Sequence, residues 1–81
     1  MIQIGAVDSE EAARDLLKAA KSEAARALKG ADPVTEKVVK DGQTLYRARF
    51  AGFDDRDEAQ AACGALKRME YKCFATFATR N

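Results

Sequence analysis

The sequence predicts an α+β domain of ferredoxin-like order, β-α-β-β-α-β: a four-stranded antiparallel sheet with both helices on one face. Three observations predict it. The segment Ile2-Gln3-Ile4-Gly5-Ala6-Val7-Asp8 returns, recast, as Ala48-Arg49-Phe50-Ala51-Gly52-Phe53-Asp54. Each copy runs into an acidic, alanine-rich stretch whose apolar residues recur at helical spacing. Between the copies, Asp41-Gly42 separates two strand-like runs, a hairpin signal.

Ile2-Gln3-Ile4 alternates as a half-buried strand does, and Gly5 and Ala6 permit close packing where the chain is expected to turn. Asp8 or Ser9 can cap the first helix, with Glu10 and Glu11 at the positive end of its dipole. Ala13, Leu16, Leu17, Ala20, Ala24 and Leu28 form one apolar stripe, and Arg14, Lys18, Lys21 and Glu23 the opposite face. Lys29-Gly30 ends that helix and Asp32-Pro33 prevents its resumption. Val34 to Lys40 is the second strand and Thr44 to Phe50 the third. In the third, Tyr46, Ala48 and Phe50 point one way and Leu45, Arg47 and Arg49 the other. Asp54 or Asp55 caps the second helix, whose stripe is Ala59, Ala62, Cys63, Leu66 and Met69. Lys72 to Thr79 is the last strand, with Cys73, Ala75 and Phe77 on one face and Phe74, Thr76 and Ala78 on the other.

Stacking both helices on one side buries every apolar stripe in one layer. The other sheet face is then open, and it carries Gln3, Leu45, Arg47, Arg49, Phe74 and Thr76. Two readings stand for it: a ligand platform, or an ordinary solvated face with two incidental apolar residues.

Eighty-one residues make one small domain, 1–81. A net charge of +1, with both signs mixed along the chain, disfavours a dedicated nucleic-acid binder. The chain has no histidine, hence neither the commonest general base nor the commonest zinc ligand, and two cysteines alone do not close a structural zinc site. No cofactor and no metal are expected, and no membrane insertion, since no apolar run approaches the ~20 residues of a span. The acids near each helix start suit caps and dipoles better than catalysis. Gly5 and Gly52 lack the spacing and lysine of a phosphate-binding loop.

Ile-Gln-Ile-Gly-Ala-Val at 2–7 and Leu-Tyr-Arg-Ala-Arg-Phe-Ala-Gly-Phe at 45–53, each before an acidic, alanine-rich helix, resemble the two repeats of a SPOR domain. The resemblance covers nearly the whole chain. It implies the fold derived above and a non-catalytic module that binds peptidoglycan glycan strands, preferring those stripped of stem peptides, and so targets its parent protein to the bacterial septum. It implies a periplasmic, envelope location, and a module taken from the C-terminal region of a longer protein such as an amidase, lytic transglycosylase or D-Ala-D-Ala carboxypeptidase. A monomer is expected.

Carried over residue by residue, Gln3 matches the family's glutamine in the first strand, and Ala6 stands where serine is usual. Arg47 matches a polar residue of the third strand, Leu45 stands where some members place tryptophan, and Phe74 falls where a last-strand residue lines the groove. Ala51 replaces the first glycine of the second repeat, and the chain has no tryptophan. The residues suit a sugar polymer in their own right. Gln3 offers a donor and an acceptor, and Arg47 and Arg49 offer forked donors for lactyl carboxylates exposed when stem peptides are removed.

Cys63 on the inward helix stripe and Cys73 on the apolar strand face should meet in the helix–sheet layer, where a disulfide is expected; two buried free thiols are the alternative. Two competing functions share the fold. An RRM-like nucleic-acid module reads its ligand on the same open face, but the third strand lacks paired outward aromatics. A ferredoxin-like protein-interaction domain would dimerise through its sheet.

Overall fold

The computed structural model describes residues 1–76. Its elements are β1 (Ile2–Val7), α1 (Glu10–Glu23), β2 (Asp32–Lys40), β3 (Gln43–Ala51), α2 (Arg56–Arg68) and β4 (Phe74–Ala75). The strands form one antiparallel sheet in the order β2-β3-β1-β4. This is the expected α+β architecture.

Local chemistry starts and stops each element. The Ser9 hydroxyl accepts from the Ala12 amide at 3.1 Å, and the Asp55 carboxylate from the Glu58 amide at 2.8 Å, so both helices have side-chain N-caps. Asp41 and Gly42 have φ of 53° and 75°, the paired left-handed conformation of a two-residue hairpin loop. At the end of α2, the Tyr71 amide donates to Leu66 and the Glu70 amide to Lys67, with Glu70 at φ 68°. That is a Schellman stop built on a glutamate instead of glycine.

The two strand-helix copies are related by an offset of 46 residues: Ser9 and Asp55 are equivalent caps, and Gln3 and Arg49 are equivalent strand residues that lie directly opposite each other. An approximate two-fold axis therefore passes between β1 and β3. Inward residues of both copies, including Ile2, Ile4, Ala48 and Phe50, join Leu17, Leu28, Ala59, Leu66 and both cysteines in a single core. α1 packs over β1, β2 and β3, and α2 packs beside β4. Cys63 and Cys73 are joined by a disulfide with a Cα–Cα distance of 5.3 Å.

Four features depart from the sequence expectations. Gly5 and Ala6 do not turn the chain; they lie inside β1, which runs on to Val7 past a bulge between Gln3 and Gly5. The bulge puts Ile4 and Gly5 both toward the helices, where a Cβ on Gly5 would lie 3.0 Å from the Leu16 side chain. α1 ends at Glu23, earlier than Lys29, although Ala24 and Leu28 stay buried through a run of turns held by bonds such as Leu28 N–H to Ala24 O at 2.9 Å. Met69 is the C-cap of α2 and is exposed, not part of its buried stripe. β4 begins at Phe74, not Lys72, because β1 pairs with it only at Ile2 and Gln3 and the next partner would be the bulged Ile4. The expected continuation through Phe77, Ala78 and Thr79 lies outside the described residues.

Candidate functional site

With the helices on one side, the opposite face of the sheet is left uncovered, and register fixes what it carries. Pairing sets Val34, Arg49, Gln3 and Phe74 in one row across all four strands. Glu36, Arg47 and Ala6 form the next row, and Val38 and Leu45 the one beyond. Thr76 follows Phe74 along the edge; its amide donates to the Met1 carbonyl at 2.8 Å, and its hydroxyl sits 3.4 Å from the same oxygen. Among the described residues, those expected on this face are on it, and Ala78 lies outside them.

The centre of the face is a charged network. Arg49 Nε donates to Gln3 Oε1 at 2.9 Å. Arg49 Nη1 and Arg47 Nη1 both reach Glu36 Oε1, at 3.3 and 3.2 Å. Arg49 lies along the sheet with its side chain only 16% exposed, whereas that of Arg47 is 40% exposed. Gln3 is only 8% exposed, far less than an open-face position suggests. Its acceptor oxygen is taken by Arg49. Its amide nitrogen has no partner among the described residues, and none of their buried side-chain nitrogens or oxygens is left unpaired, so that nitrogen keeps access to solvent. Gln3 can thus donate outward while Arg49 fixes its orientation.

Phe74 is 53% exposed and stands at the β4 end of the first row, beside Gln3. Tyr46 and Phe50 face the helices and pack in the core, so the central strands offer the open face no aromatic ring. The arrangement is one exposed apolar platform at the edge, a polar centre that both donates and accepts, and one positive charge in excess. It contains no nucleophile–base pair.

Glu36 was not among the expected site residues, yet it is the partner both arginines share. The signal for it was present. The two-residue hairpin loop closes on Lys40 opposite Gln43, and counting back from that pair places Glu36 opposite Arg47.

The SPOR domain family model matches residues 1–76. The chain belongs to the SPOR domain family. Two solved structures share the fold of this SPOR domain. One is the RlpA SPOR domain from Pseudomonas aeruginosa, 24% identical over 93% of this chain and 96% of that one, with a TM-score of 0.67. The other is the peptidoglycan-binding domain of the B. subtilis cell wall lytic enzyme CwlC, 23% identical over 96% and 86%, with a TM-score of 0.68. No curated protein matches the chain in sequence.

Proposed function

We propose that this SPOR domain is a non-catalytic module that binds peptidoglycan glycan strands on the open face of its sheet. Gln3, Ala6, Leu45, Arg47, Arg49, Phe74 and Thr76 form the contact surface, and Glu36 tunes it. The observation that carries this proposal is the row Arg49–Gln3–Phe74, in which a pre-oriented amide sits between a guanidinium and an exposed ring. A sugar strand needs that combination: an apolar surface for its C–H faces, and fixed donors for its hydroxyl and acetamido groups. The absence of an outward aromatic on β1 or β3 favours glycan over single-stranded RNA, which would stack on such rings. The membership of the family supports a monomeric, wall-associated module in the bacterial envelope, carried by a longer protein and drawn to denuded strands at the septum.

Co-sedimentation with purified sacculi, with and without amidase treatment, tests the proposal. Amidase-treated sacculi should retain more of the domain. Arg47→Ala, which removes a charged hydrogen-bond donor worth about 1.5–3 kcal/mol, should weaken retention by roughly tenfold or more. Retention that Arg47→Ala and Phe74→Ala both leave unchanged would place the ligand elsewhere.

A further inference from the structure

We propose that the groove between α1 and β2, on the helix side of the sheet, is a second docking site, for an extended acidic peptide that adds to the free edge of β2 as a fifth strand. The groove measures ≈ 390 Å³ and is lined by Arg14, Leu17, Lys18, Lys21, Pro33 and Thr35. Its floor, Leu17 and Pro33, is apolar. Its α1 wall is a stripe of cations spaced by three and four residues, hence on one helix face. Lys21 Nζ donates to the Ala31 carbonyl at 2.8 Å, which fixes the ammonium without neutralising it. Lys18 has no partner among the described residues, and only Arg14 is paired, to Glu10 at 2.8 Å. On the β2 wall, Lys37 follows Thr35 on the same face by strand alternation. The chain as a whole carries only one net positive charge, so this groove holds a local excess.

The strand that forms the second wall is an edge. β2 is nine residues long, is last in the order β2-β3-β1-β4, and has no strand beyond it among the described residues. Its outer backbone groups are a template for a further strand. A peptide paired there would turn alternate side chains toward the groove, where acids would meet Lys18, Lys21 and Lys37 and small apolar residues the floor. Charge selects this occupant. A second copy joined β2 to β2 about a two-fold axis normal to the sheet would set two α1 cation stripes facing each other across the seam. An anionic phosphate polymer would use the cations but neither the apolar floor nor the strand edge. Because the groove and the Arg47–Gln3 face are on opposite sides of the sheet, both can be filled at once.

The test is a titration of the 15N-labelled domain with the blocked peptide Glu-Thr-Val-Thr-Glu-Thr-Glu, whose Glu and Val side chains share one strand face, followed by amide chemical shifts. Shifts should gather on β2 and on Arg14–Lys21 and leave Gln3, Arg47 and Phe74 in place. The exposed double variant Lys18→Glu with Lys37→Glu, checked for folding by circular dichroism, should bind roughly tenfold more weakly, because attraction becomes repulsion. The same peptide with alternate amides N-methylated should lose binding, since it cannot complete the ladder. Silence at millimolar peptide overturns the proposal, as do equal binding of a Lys-for-Glu peptide and binding that survives N-methylation. Equal shifts with polyphosphate, or dimerisation of the free domain through β2 in sedimentation, would also overturn it.

Discussion

The two β-α-β halves begin as near copies and end as different constructions. Up to the helices they superimpose in design: equivalent strands, equivalent caps at Ser9 and Asp55, and helices of 14 and 13 residues. After the helices they part. The first half returns through β2, paired with β3 along nine residues. The second returns through β4, paired with β1 at two positions among the described residues and fastened to α2 by Cys63–Cys73. Where the ladder is long, hydrogen bonds and cross-strand contacts hold the strand; where it is short, a covalent bond takes over. A duplicated unit therefore does not need duplicated sources of stability.

The largest test of this contrast is removal of the bridge. Cys63→Ala with Cys73→Ala should cost about 2–3 kcal/mol, on the chain-entropy estimate for a loop this short. Amide exchange should quicken in α2 and β4 well before β2 and β3. Uniform acceleration would mean that the halves share one source of stability after all.

Next comes Gly52, where the halves touch. It has φ of +98°, and a Cβ there would lie 3.1 Å from the Gly30 carbonyl oxygen. Gly52→Ala should destabilise by about 1–2 kcal/mol in denaturant titration, through backbone strain plus that contact. The Gly42→Ala variant has the same backbone restriction in open space, so a loss as large there would show that strain alone accounts for the effect.

The paired caps give a finer measure. Ser9→Ala and Asp55→Ala should each cost about 1 kcal/mol. Their effects should add in the double variant, as distant independent sites do. A double variant less stable than the sum by more than about 0.5 kcal/mol would reveal coupling through the core.

The smallest effect concerns an exposed contact between the halves. Tyr71 Oη donates to Glu23 Oε2 at 2.5 Å. That hydrogen bond, with lesser contributions from burial and from the carboxylate charge, raises the phenol above its ordinary pKa. The neutral phenol is the bonded form. Its contribution is complete below about pH 10, the unfolded value, and is lost as pH climbs through the raised folded value. Tyr71→Phe should remove that alkaline slope and leave stability at lower pH slightly reduced; an unchanged slope would assign it to another group.

How much of this was legible follows from range. Caps, the Asp41-Gly42 loop and the inward stripes are written in neighbouring residues, so the element order and the core could be read directly. The open-face residues followed from alternation within single strands. Features that depend on register across strands were harder. The burial of Gln3 beneath Arg49 needs both strands in place. Glu36 needed the hairpin count to be carried across to β3. The start of β4 falls at Phe74 and not Lys72 because the bulge in its partner, not its own composition, limits the pairing there.

That bulge has a consequence for how β1 can change. Without it, strict alternation from Ile2 would bury Ala6 and expel Val7. With it, Val7 packs inward opposite Tyr46 while Gln3 still faces out. The strand is two short readings joined out of phase at Ile4. Losing Ile4 would restore regular pairing of Gly5, Ala6 and Val7 with Ala48, Arg47 and Tyr46 and keep every face, at the cost of one buried side chain, whereas closing the bulge with all six residues retained would exchange open face for core all the way to the first helix. The bulge, and not the letters alone, therefore decides which residues of β1 face outward.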